Sequence, residues 1–107
     1  MDSAEAEARR LRSLALFGNR YFADVVLAVD ALATPPEGLA TVRQVAAALG
    51  LADSLVRPVI LRLAAAQVVV DLPRLGGPRS ALHYRVTTSS TWEPLVALAS
   101  GAAERVR

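Results

Sequence analysis

The chain has 107 residues, 53% of them apolar, and a net charge of +2, so we expect one domain, 1–107, with a modest core. Cysteine is absent and histidine occurs once, which excludes disulfides, thiolate nucleophiles and histidine-cluster metal sites. The acidic start and the lack of an apolar run of about 20 residues predict a cytoplasmic protein without a signal peptide or membrane span, and no cofactor-binding motif is present.

The first segment, 1–33, is predicted to form two helices. Apolar residues recur along it with a helical period, and Gly18-Asn19 interrupts that period. We therefore predict helices at about 3–16 and 20–33, with a single kinked helix as the alternative. A loop rich in proline and glycine is predicted to follow.

The next segment, 41–66, has the pattern of a helix-turn-helix. Thr41 and Gln44 have the spacing of a capping box, in which each side chain accepts a hydrogen bond from the backbone N–H of the other residue. Gly50 is able to take a positive φ and is predicted to end the first helix. A short turn leads to the second helix, which is predicted at 54–66.

Two short strands are predicted in the segment 68–87. Apolar residues alternate with polar or exposed positions at 68–72 and 82–86, so each strand is expected to have one buried face. The proline and glycine residues between the strands predict an irregular loop at 73–80. A last helix is predicted at 91–106.

The order helix, turn, helix, strand, loop, strand is the layout of a winged helix-turn-helix. The predicted fold class is therefore mainly α with a small β-wing (α+β). Some residues also have the pattern of a known group of proteins, namely Phe17–Arg20, Ala48–Leu51, Val56, Ile60, Leu63 and Trp92. In these residues the chain resembles the bacterial winged-helix regulators of the ArsR and MarR groups, and small actinobacterial ArsR-like members in particular. The use of arginine for all twelve basic residues is typical of a GC-rich genome.

The resemblance implies a homodimeric, DNA-binding transcriptional regulator of the repressor type. In such proteins the first and last helices form the dimer, and two recognition helices enter successive major grooves of a palindrome. The residues assigned to dimerisation are Leu11, Leu14, Phe17, Trp92, Leu95 and Leu98. Relatives that sense metals use cysteine and histidine clusters, so metal sensing does not carry over. Gln67 stands where relatives have a glycine after the recognition helix.

Positive charge is concentrated on the helix-turn-helix and the wing. Residues 40–90 contain six arginines and two aspartates, a balance of +4, whereas 1–39 balance to −2 and 91–107 to zero. This distribution is typical of a phosphate-binding surface, and scattered solvated arginines are the alternative. The residues predicted to contact double-stranded DNA are Arg43, Ser54, Leu55, Arg57, Pro58, Leu61, Arg62, Arg74, Arg79 and Arg85.

The second helix of the helix-turn-helix has an apolar outward face. With Val56 facing the core, a rotation of 100° per residue predicts which side chains point outward. They are Ser54, Pro58, Leu61 and Ala65, with Arg57 and Arg62 on the flanks.

Two interpretations of this face remain open. In the first, the flanking arginines contact bases or phosphates, Ser54 binds a phosphate, and Leu61 or Pro58 packs on a thymine methyl. In the second, the apolar patch binds a protein, and DNA binding is weak or absent. The arginines of the neighbouring wing favour the first interpretation.

Overall fold

The computed structural model describes residues 3–33, 38–74, 76–77, 80–87 and 91–101. Its elements are α1 (Ser3–Phe17), α2 (Phe22–Leu32), α3 (Val42–Leu49), α4 (Asp53–Ala65), β1 (Val69–Asp71), β2 (Tyr84–Val86) and α5 (Trp92–Ser100). The helices surround a common core, and the two strands form an antiparallel wing. This arrangement confirms the predicted winged helix-turn-helix.

The N-terminal segment forms two separate helices, so the single kinked helix is wrong. Gly18 breaks the chain with a φ of 69°, and the Asn19 side chain accepts a hydrogen bond from the Tyr21 backbone N–H at 2.8 Å. Because of these local interactions α2 begins at Phe22, two residues later than predicted. The buried Ser13 hydroxyl donates to the Asn19 carbonyl at 2.6 Å and fixes the turn against α1.

A buried ion pair holds α1 against α2. The Asp24 carboxylate lies in the interior, where it accepts from Arg10 Nε at 3.0 Å and also from Arg9 Nε. A buried carboxylate is costly unless it is paired in this way. The two arginines therefore fix how α1 lies on the rest of the protein.

The core contains the inner faces of α2 to α5 and of the wing. Its largest fully buried side chains include Val25, Val26, Val45, Val56, Val59, Ile60 and Leu63. Trp92 at the start of α5 is buried as well, and its indole N–H donates to Asp30 on α2 at 2.9 Å. The side chain is thus enclosed within its own chain.

The predicted capping box at the start of α3 is confirmed. Thr41 N–H donates to Gln44 Oε1 at 2.9 Å, and Gln44 N–H donates to Thr41 Oγ1 at 3.1 Å. Gly50 ends this helix with a φ of 67°, as its position indicated. The following helix α4 begins at Asp53, one residue before the predicted start.

The wing strands are shorter than predicted. Only three residues on each strand pair, in the register Val69↔Val86, Val70↔Arg85 and Asp71↔Tyr84. Beyond the ladder, Tyr84 exchanges two backbone hydrogen bonds with Ala40, at 2.8 and 3.0 Å. The segment before α3 therefore lies beside the wing, and β2 is enclosed on both edges at Tyr84.

The last helix is also shorter than its prediction of 91–106. It ends at Ser100, and Gly101 takes a φ of 79° as the left-handed cap. Residues 102–106 of the prediction lie outside the described residues.

Candidate nucleic-acid interface

The predicted orientation of α4 is confirmed. Its core face consists of Val56, Val59, Ile60 and Leu63, all of them buried. The opposite side chains are exposed, and they are Ser54, Leu55, Arg57, Pro58, Leu61, Arg62 and Ala65. The helix is anchored by one apolar stripe, and its other faces are accessible to a large partner.

Three predicted DNA-contacting arginines are brought together on one flank of α4. Arg43 on α3, Arg57 on α4 and Arg74 after β1 line a single cleft of about 470 Å³. The cleft lies between the start of the helix-turn-helix and the wing, because Ala40 pairs with Tyr84 and draws the two together. Residues from three parts of the sequence thus form one surface.

The cleft is electropositive. Against its three arginines stands one carboxylate among the described lining residues, that of Asp53. Asp53 lies in the first turn of α4, where a negative charge is favourable to the helix dipole. The surplus of guanidinium groups suits this cleft to phosphate oxygens, which arginine binds in a bidentate manner.

Eight described lining residues of the cleft were not assigned to DNA binding from the sequence, among them Gln44, Asp53 and Ser80. Gln44 is held by the capping box, and the Ser80 hydroxyl donates to the Gly77 carbonyl at 2.7 Å. The capping-box spacing of Thr41 and Gln44 predicted where α3 begins, and so the position of Gln44. No local pattern indicated that the wing loop would lie beside it.

Arg62 lies on the other flank of α4, away from the cleft. Its guanidinium donates to the Phe17 carbonyl at 3.4 Å and lies 6.0 Å from the centre of the Phe22 ring. The Phe17 and Phe22 rings are themselves stacked at 4.4 Å. The sequence treated Arg57 and Arg62 as equivalent flanking residues, whereas the structure directs Arg62 towards the joint between α1 and α2.

Two further arginines, Arg85 and Arg79, were predicted to contact DNA. Arg85 on β2 is exposed, between the buried Tyr84 and Val86, and is not among the residues that line the cleft. Arg79 lies outside the described residues.

The residues assigned to dimerisation differ in how far their side chains are exposed to solvent. Leu11 and Leu14 on α1 are 57% and 50% exposed, and Leu98 on α5 is exposed too. Phe17 and Leu95 are half-buried. The helices α1 and α5 are in contact, since Arg12 Nη2 lies 3.5 Å from the Ala99 carbonyl. The three exposed leucines are thus carried by two adjoining helices.

Within the described part of the chain, no three histidine or acidic side chains are grouped so as to hold a metal ion. None of the helices in that part has the length and apolar character needed to span a bilayer.

No protein-family model and no curated protein matches the sequence. A solved structure does match: a MarR family transcription regulator, with 21% sequence identity and a TM-score of 0.57. The match covers 94% of this chain and 60% of that protein, so the chain spans about three fifths of the regulator's length. At this identity the likeness establishes the fold, which is the winged helix derived above.

Proposed function

We propose that the protein is a sequence-specific, DNA-binding transcriptional regulator, a homodimer of the repressor type that acts in the bacterial cytoplasm. In this proposal α4 enters the major groove, and the wing loop at 73–80 contacts the backbone or the minor groove. The observation that carries the proposal is the joint lining of one cleft by Arg43, Arg57 and Arg74. The MarR fold likeness supports the same class of function.

The cleft has the position that a DNA backbone would require. With the exposed face of α4 in a major groove, the adjoining cleft faces the sugar-phosphate chain that borders the groove. Three arginines there would neutralise phosphates and release counterions. The logarithm of the association constant should therefore fall linearly with the logarithm of the salt concentration. Phosphate contacts of this kind set the register in which α4 meets the bases.

The first experiment is a fluorescence anisotropy titration with random-sequence duplex at two salt concentrations. We expect binding that weakens steeply as salt rises. The plot of log association constant against log salt concentration should have a slope of about −0.9 per phosphate neutralised. The triple variant Arg43→Gln, Arg57→Gln and Arg74→Gln should bind about tenfold or more weakly, and its slope should fall by about one per arginine in each protomer.

Arg20→Gln is the matched control, because Arg20 is exposed and pairs with Glu7 at 3.1 Å on the surface of α1. It removes one positive charge without touching the cleft, so its salt slope should equal that of the wild type. Absence of salt-sensitive binding to any duplex would reject the proposal. If the control and the single Arg57→Gln variant lose DNA affinity equally, the cleft is rejected as the phosphate-binding surface.

The alternative function is a winged-helix protein-interaction module with weak or no DNA binding. It is favoured by the exposure of Pro58 and Leu61 on the outer face of α4. Replacing Arg57 and Arg62 together separates the two proposals, because DNA binding should collapse whereas an apolar protein contact should survive. Retention of a bound protein by that double variant would support the module.

A further inference from the structure

The line of α4 that faces away from the core has almost no hydrogen-bonding side chains. Along it lie Ser54, Pro58, Leu61 and Ala65, each of them exposed. Only the Ser54 hydroxyl in this set is able to donate or accept a hydrogen bond, and Leu61 is 53% exposed. Direct reading of base edges usually relies on arginine, asparagine or glutamine at such positions.

The two flanking arginines do little to replace the missing polar side chains. Arg57 lines the cleft with Arg43 and Arg74, a setting that suits phosphate. Arg62 is directed to the Phe17 carbonyl and the Phe22 ring on the opposite flank. The central surface of α4 is therefore apolar, with a cationic cleft at its border.

The chemistry that fits both features is duplex DNA with thymines in the major groove. A polyanion satisfies the cleft, and the apolar group that the major groove displays is the C5 methyl of thymine. We propose that Leu61 and Pro58 read thymine methyl groups, so that apolar contact specifies part of the preferred DNA site. The inference rests on the proposed DNA-binding function and adds to it the chemical basis of its specificity.

The test compares thymidine with deoxyuridine, which differs from it only in lacking the C5 methyl group. A preferred duplex is first selected from a random library with the wild-type protein. Each thymine is then replaced by deoxyuridine in turn, and the Kd is measured by anisotropy at fixed salt. Burial of one methyl-sized group predicts a loss of about fourfold at each contacted position.

Variants of α4 identify the side chain that makes the contact. Leu61→Ala and Pro58→Ala should each be tested, and at least one should bind the thymine and deoxyuridine duplexes equally at a position where the wild type discriminates. Leu16→Ala is the control, because Leu16 is an equally exposed leucine, at 54%, on α1. The control should keep the wild-type discrimination.

The outcomes separate this inference from the function on which it rests. Equal wild-type affinity for every thymine and deoxyuridine pair, with salt-sensitive binding intact, overturns methyl reading and leaves the DNA-binding function standing. Discrimination that survives in both Leu61→Ala and Pro58→Ala overturns it as well. Absence of salt-sensitive binding to any duplex rejects both proposals and leaves the apolar face to a protein partner.

Discussion

Gln67, directly after α4, has a φ of 64° in a region of the backbone map that favours glycine. Its side chain is exposed, and its carbonyl accepts a hydrogen bond from the Thr87 hydroxyl at 3.1 Å. A residue with a side chain therefore occupies a left-handed turn that glycine would adopt more readily. The turn from α4 into β1 is formed at the expense of local strain.

We expect Gln67→Gly to raise the free energy of unfolding by about 0.5 kcal/mol. The left-handed conformation costs a residue with a Cβ about 1–2 kcal/mol, and the extra chain entropy of glycine offsets part of the gain. Urea denaturation measures the difference. Gln67→Val should instead lower stability by about 1 kcal/mol, because a β-branched residue tolerates positive φ poorly. A glycine variant less stable than the valine variant would contradict this account.

At the level of the element, α4 tolerates a proline in its interior. Pro58 lies in the second turn of Asp53–Ala65, so it leaves the Ser54 carbonyl without the usual backbone donor. Four buried apolar residues of the same helix hold it against the core. Tertiary packing thus outweighs a local preference that would otherwise break the helix.

Pro58→Ala is expected to stabilise the protein by about 1–2 kcal/mol. Alanine restores the missing hydrogen bond and removes the ring clash, while the unfolded chain gains some freedom. Thermal and urea unfolding should both record the increase. Leu55→Ala, also exposed on α4, is the control and should change stability little. Lower stability in Pro58→Ala would show that α4 is already adapted to the proline.

At the level of the whole molecule, the proposed dimer rests on leucines that the monomer leaves exposed. Leu11 and Leu14 lie one turn apart on α1, and Leu98 lies on the adjoining α5. Exposed leucines on two helices that contact each other favour burial against a second copy of the chain.

The double variant Leu11→Glu, Leu14→Glu should sediment as a monomer and lose about tenfold or more in affinity for a palindromic duplex, because linked half-sites bind cooperatively. Leu16→Glu is the matched control, since Leu16 is equally exposed but lies on another side of α1. Monomer formation by the control alone, or a dimeric double variant, would contradict the proposed interface.

The sequence by itself determined the features that depend on near neighbours. The capping box at Thr41, the left-handed end at Gly50 and the buried stripe of α4 were all predicted, because each follows from residue types and their spacing within one helix. The element order was predicted for the same reason. The first helix break was found at Gly18, although the turn after it delayed α2.

Only the tertiary structure decided which side chains meet on the surface. The pairing of Ala40 with Tyr84 brings Arg43, Arg57 and Arg74 to one cleft, and no local pattern encodes that pairing. Long-range packing likewise turns Arg62 towards the joint between α1 and α2 and encloses Trp92 in the core. A long polar side chain has many accessible rotamers, so contacts distant in sequence, rather than its own position, decide where its charge lies.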